Sequence, residues 1–242
     1  MSRINSYYND FYRELSVIDE ENNNFIKIED FLPKLHGEEC FLDIGCGHGG
    51  VCSELINKGY NVSGIEINDS AIKSLQSKGY KTYRRDITKP LNINSKFNII
   101  LILDVLEHLF DPVHLLQEAK KIVKNNGHII VTIPLYFDII DRLKILFTGN
   151  IISMDNLCYG KENYLKFRSY NYDHIRFFRP KDILEIGEML DLYADKIEFN
   201  STSYLGKSRF IKLFFKIIAN KFTVKYSPNL LAHSMKIRWQ VR

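Results

Sequence analysis

Apolar positions fall into short continuous runs divided by segments of helical period. The runs Cys40–Ile44, Asn61–Ile65, Lys81–Arg85, Asn98–Leu103 and His128–Ile133 have the length and turn-residue borders of buried strands. Between them, Val51–Lys58 and Ser70–Lys78 carry apolar residues at helical spacing. Each is followed by a glycine, Gly59 or Gly79, where a helix end takes a left-handed residue. A third helix, Pro112–Val123, opens on Asp111-Pro112, a capping residue followed by proline at the first helical position. Strands and helices alternating through such short links require a parallel sheet covered by helices on both faces. The predicted fold class is therefore α/β, doubly wound. The triplet Lys-Gly-Tyr at 58–60 and 78–80 marks one strand–helix unit used twice.

The remaining pattern is less regular. Residues 1–34 predict helices ahead of the sheet, and 135–173 form a weakly periodic stretch over the strand ends. Pro180–Leu190 predicts a helix, Leu192–Asn200 and Ser234–Val241 predict strands, and Lys207–Phe222 is a basic amphipathic segment. No low-complexity linker interrupts the chain, so a single domain over 1–242 is expected. It divides into a cofactor-binding half (38–134), an acceptor-side insertion (135–173) and a C-terminal part (174–242).

Composition is that of an ordinary globular protein, 45% hydrophobic and 26% charged, which excludes disordered and collagen-like classes. Charge is uneven. No Asp or Glu follows Glu198, and residues 199–242 hold nine of the 33 bases, leaving 24 against all 29 acids in residues 1–198. A basic tail on a mildly acidic body suits an anionic neighbour. The four cysteines (Cys40, Cys46, Cys52, Cys158) show neither a CxxC pair nor a Cys/His zinc spacing. Reduced thiols, no metal and a cytoplasmic location are expected. The segment MSRINSYYNDFYRE has no apolar core of a signal peptide, and no apolar run spans a bilayer.

The strongest local signal is FLDIGCGHGG, residues 41–50: a strand, a turn rich in glycine, then a helix. Glycines there let backbone approach a ligand at the carboxyl end of the first strand. Glu66 follows 21 residues beyond Gly45 and ends the second strand, a spacing that suits a ribose diol. Gly45, Gly47 and Gly50 also satisfy the dinucleotide fingerprint, so an NAD-dependent oxidoreductase or epimerase is the rival reading. Charge separates the two. Asp43 lies inside the end of the first strand, Glu66, Asp86 and Asp104 end the next three, and such a ring repels a pyrophosphate. A nucleoside with a cationic amino-acid tail, such as S-adenosylmethionine, suits it.

The segments FLDIGCGHGG, GIEIN, RRDI and LILDVLEHLFDP, followed by HIIVTIP, resemble the successive motifs of class I S-adenosylmethionine-dependent methyltransferases with a DVLEHL signature. The later DHIRFF is also similar to the methionine-biosynthesis W-type proteins, which lack that signature. The resemblance implies a seven-stranded sheet with its last strand antiparallel. It implies Gly45, Gly47 and Gly49 against the methionine and ribose, Asp43 under the methionyl amino group and Glu66 on the ribose hydroxyls. Asp86 and the Ile87 backbone would address adenine, and Asp104 or Leu103 the methionine side.

Methyl transfer asks mainly for positioning and, for a hydroxyl or amine acceptor, proton removal. His108, His174, Tyr136 and Asp173 are the candidate bases, with His174 preferred because YDHIRFF should return to the cleft mouth. The aromatic and basic residues of 135–173 suit a small-molecule or glycan acceptor, with O-methylation of a glycan, nucleotide sugar or lipid-linked intermediate the preferred reaction. The alternatives are a lid and a non-catalytic partner subunit. The segment 207–222 is read as a lid helix or a peripheral membrane contact, and no nucleic-acid partner is expected, since no groove-reading motif is present.

Overall fold

A computed structural model describes residues 28–149, 174–201, 213 and 217–241 of the chain. Its strands are β1 (Cys40–Ile44), β2 (Asn61–Glu66), β3 (Lys81–Arg84), β4 (Phe97–Leu103), β5 (Val123–Pro134), β6 (Tyr193–Ser201) and β7 (Ala232–Gln240). The helices are α1 (Gly50–Asn57), α2 (Asp69–Ser77), α3 (Pro112–Ile122), α4 (Ile139–Thr148), α5 (Pro180–Met189), α6 (Lys221–Tyr226) and α7 (Pro228–Leu231). The seven strands form one sheet in the order β3-β2-β1-β4-β5-β7-β6. β1 to β5 run parallel, and β7 is antiparallel to both β5 and β6. The doubly wound fold with an antiparallel last strand is as expected.

Alternation along the strands builds two cores. Leu42, Ile44, Ile100, Ile102 and Ile129 face α3 and α5, where Leu115, Leu116 and Ile183 meet them. Phe41, Val62, Ile99, Leu101 and Ile130 face the other way, toward Cys52 and Leu55 of α1, Leu75 of α2 and the preceding Ile28 and Phe31. Each fully buried side chain of this kind stabilises the fold by about 1.5–3 kcal/mol. Asp43 shares the face of Phe41, so the same alternation carries a carboxylate into the layer under α1.

The ends differ from the sequence reading in instructive ways. α3 stops at Ile122, and β5 begins at once with Val123 opposite Phe97, resuming at His128 opposite Ile99. Residues 124–127 detour toward β7: the Asn126 N–H donates to the Val241 carbonyl and the Val241 N–H to that of Gly127. A local hydrophobic pattern holds no trace of such pairing. Within 135–173, Ile139–Thr148 is helical, started by Asp138, whose carboxylate accepts the Asp141 N–H. Residues 150–173, which include Asp173, lie outside the described residues, as do most of 1–34 and of 207–222. Of the expected N-terminal helices only a 3-10 turn at Glu29–Phe31 is described, and the basic segment is represented at its end by α6.

Candidate active site

Strand order sets the site. β3, β2, β1 and β4 are neighbours running in parallel, so Glu66, Asp43 and Asp104 fall at one edge of the sheet, and Asp86 lies two residues past β3. β1 leaves that edge through Gly45, whose N–H donates to the Ile65 carbonyl at 2.9 Å, and the chain enters α1 after Gly49. Two of these glycines are required by space and conformation. Gly45 has φ +76°, and a Cβ there would lie 2.8 Å from Val105; Gly49 has φ +81°, and a Cβ there would lie 2.3 Å from Leu75. At Gly47 a Cβ would meet nothing within 4 Å, so this part of the loop faces open space.

Asp43 is buried, and its carboxylate accepts a hydrogen bond from the Cys52 thiol at 3.3 Å. Burial is the main cause that pushes its pKa up to about 6; the Cys52 bond opposes this and the nearby Glu66 charge adds to it. Glu66 is buried as well and braces the loops on both sides. Its Oε2 accepts from the Gly47 N–H at 3.0 Å, and its Oε1 from the N–H groups of Ile67 and Asn68 at 2.7 and 2.9 Å. These bonds use three of about four lone-pair sites on the carboxylate.

Asp104 follows β4 in the left-handed region, φ +52°. Its N–H donates to the Thr132 carbonyl at 3.1 Å, and its Oδ1 accepts from the Thr132 hydroxyl at 3.0 Å. Burial raises its pKa, against the opposing effects of the Thr132 bond and the nearby His108. Leu103 ends β4 beside Thr132. Asp86 is turned to its own loop: its carboxylate accepts from the Thr88 N–H and hydroxyl and pairs with Lys89 at 3.2 Å. Burial works to raise its pKa, but these partners prevail and hold it below the usual carboxylate value. Ile87 packs against the core. The structure thus brings Asp43, Glu66 and the glycine loop together, with Asp104 at the adjoining strand end, while Asp86 faces Thr88 and Lys89.

Three of the four expected bases, His108, His174 and Tyr136, meet near Asp104. His108 closes a 3-10 turn, Leu106–His108, and its ring contacts that of His174 edge-on at 4.6 Å. The Tyr136 hydroxyl and His174 Nδ1 share a hydrogen bond. What holds the two segments together is backbone: the N–H groups of Ile175 and Arg176 donate to the Glu107 carbonyl at 2.9 and 3.1 Å. The Arg176 guanidinium adds bonds to the Leu109 and Phe110 carbonyls. Sequence reasoning missed Glu107, whose side chain is buried beside both imidazoles. Its place in DVLEHL was visible, but not its partner 67 residues away.

Among the described residues, two cavities flank the sheet. One of about 290 Å³, lined by Ile28, Leu32, Lys58 and Tyr60, sits at the amino ends of the strands, away from the glycine loop. The other, about 250 Å³, is lined by Tyr136, Phe137, Arg142, Phe178 and Arg179 and adjoins the histidine pair through Tyr136.

The residues present fit an adenosyl ligand with a cationic tail: open backbone at Gly47, a buried carboxylate at the end of the next strand, and acids in place of phosphate-binding bases. The sequence profile of the methyltransferase domain family matches residues 19–196. The chain is 25% identical over 153 residues to the ubiquinone biosynthesis O-methyltransferase of Vibrio cholerae, covering 60% of this chain and 57% of that protein. It is 29% identical over 170 residues to the protein so named in Actinobacillus pleuropneumoniae, covering 65% of this chain and 67% of that one. The first of these matches thus spans little more than half of its relative's length. Among solved structures, a SAM-dependent methyltransferase from Archaeoglobus fulgidus superposes with a TM-score of 0.58 at 19% identity, over 88% of this chain and 91% of that one. With its glycine loop, its strand-end acids and its seven-stranded sheet, this chain belongs to the methyltransferase domain family, the class I S-adenosylmethionine-dependent methyltransferases.

Proposed function

We propose that the protein transfers the methyl group of S-adenosylmethionine to a hydroxyl of a small, partly apolar acceptor. The observation that carries this reading is the pair of buried carboxylates, Asp43 and Glu66, beneath the glycine loop. Bound there, S-adenosylmethionine supplies an electrophilic methyl: the acceptor oxygen gains it, sulfur keeps the bonding electron pair, and the hydroxyl proton is released. The chain's own contribution is placement and charge. Asp43 and Glu66 favour a cationic nucleoside, and the glycine loop lets backbone amides reach it.

The acceptor belongs in the cavity beside Tyr136, whose phenylalanines, proline and arginine suit a ring that carries hydroxyls. His174, tied through Nδ1 to Tyr136, and His108 stand on the acceptor side, where the hydroxyl proton must leave. The relatives are named as O-methyltransferases of ubiquinone biosynthesis, which supports a hydroxyl acceptor. The test is methyl transfer from labelled S-adenosylmethionine to a panel of catechols, sugars and nucleotide sugars. The expected result is labelling of a phenolic hydroxyl, reduced at least about tenfold in kcat by His174→Ala. Labelling confined to amines or carboxylates contradicts the reading.

A further inference from the structure

The sequence shows no metal-ligand spacing, yet folding assembles a ligand set. Glu107, His108 and His174 each offer one ligand atom, and these atoms lie within 4.8 Å of one another. Around one ion at about 2.0–2.1 Å, donor atoms stand about 3.3 Å apart, so the set needs only a small contraction of side chains to close. Glu107 is 1% exposed, and a carboxylate so buried is held by hydrogen bonds or by positive charge. Its Oε1 stands 4.0 Å from His108 Nε2.

We propose that Glu107, His108 and His174 bind a divalent first-row transition-metal ion on the acceptor side of the cleft. Two imidazoles and one carboxylate make a borderline set that suits Zn²⁺ or Co²⁺ better than Mg²⁺ or Ca²⁺. Three protein ligands leave a position for a fourth, oxygen-bearing group, as in catalytic zinc sites. The surroundings are those of a supported site. Tyr136 engages His174 Nδ1, which fixes the ring and assigns Nε2 to the ion. The amides of Ile175 and Arg176 pin the His174 segment to the Glu107 carbonyl, so the ligands from two distant stretches are held together by backbone.

The inference rests on the acceptor-side reading above and sharpens it. With the ion bound, the imidazoles act as ligands and not as bases. The acceptor hydroxyl occupies the open position, and the ion lowers its pKa so that its proton passes to solvent before the carbon–oxygen bond forms.

The test uses the full chain, stripped with a chelator and titrated with Co²⁺ in the absence of methyl donor. One equivalent should bind per chain, with the weak visible bands of a nitrogen–oxygen set, and Zn²⁺ should displace it. His174→Ala and Glu107→Gln should each weaken binding at least about a hundredfold, and Tyr136→Phe about tenfold. Calorimetry with S-adenosylhomocysteine on every variant reports folding and the cofactor site separately. If Glu107→Gln does not fold, His174→Ala decides alone. Absence of saturable uptake, uptake indifferent to His174→Ala, or the intense bands of cobalt–thiolate bonding overturns the metal site. Failure to bind S-adenosylhomocysteine with metal uptake intact overturns the methyltransferase reading instead.

Discussion

At the scale of single residues the account turns on two buried carboxylates. Burial raises the Asp43 pKa to about 6, above its ordinary 3.8. An acid raised in this way stabilises the fold fully only below its ordinary value, and that contribution is lost as pH rises through about 6. Cofactor binding runs the other way, because the ionised carboxylate favours a cationic ligand. Affinity for S-adenosylhomocysteine, with its ammonium group, should therefore strengthen from pH 5 to pH 6 and level off above pH 7. Asp43→Asn should flatten that profile and bind more weakly at neutral pH; calorimetry across the range measures both. For Glu66, loss of charge-assisted hydrogen bonds at about 1.5–3 kcal/mol each predicts that Glu66→Ala weakens the same ligand by about a hundredfold. An unchanged dissociation constant would remove Glu66 from the site.

At the scale of elements, the start of α2 is coupled to the site. Asn68 caps this helix, its Oδ1 accepting from the N–H groups of Ser70 and Ala71, while its own N–H donates to Glu66. Asn68→Ala should lower unfolding stability by about 1 kcal/mol in urea titration, and weaken cofactor binding less than Glu66→Ala does. Asn68 was not foreseen as a cap, since Ser70 offered an equally good helix start. The strands were legible for a simple reason: β1, β4 and β5 are covered on both faces, so each carries consecutive apolar residues, Phe41–Leu42, Ile99–Leu103 and Ile129–Val131. Glu66 was legible because it ends a strand next to β1, a fixed distance along one βαβ unit. The meeting of Glu107 with His174 was not legible, because amides at Ile175 and Arg176 on the Glu107 carbonyl create it, and backbone pairing across 68 and 69 residues leaves no periodic mark. Asp86 shows the converse: its place at a strand end was evident, but not that Thr88 and Lys89 would engage its carboxylate.

At the scale of the whole molecule, surface and charge bear on where the acceptor comes from. Leu146 and Phe147 on α4 are 73% and 78% exposed, and Phe222 and Tyr226 on α6 are 69% and 70% exposed. Phe222 and Tyr226 fall in the stretch of sequence after Glu198 that holds no acid, and Lys221 and Lys225 stand beside them in the chain. Among the described residues no helix is long and apolar enough to cross a membrane. Exposed aromatics among bases fit a surface contact with anionic lipid. Sedimentation with phosphatidylglycerol vesicles should carry the protein down and neutral vesicles should not, with Phe222→Ser reducing the bound fraction severalfold; equal binding to both vesicle types would contradict an electrostatic contact. All of this presupposes that the strand-end acids select a cationic nucleoside over a diphosphate. Titration calorimetry of the full chain with S-adenosylhomocysteine and, separately, with NAD tests that most directly. The account predicts one saturable site for S-adenosylhomocysteine and no heat of binding for NAD; saturable NAD binding without any for S-adenosylhomocysteine would contradict it.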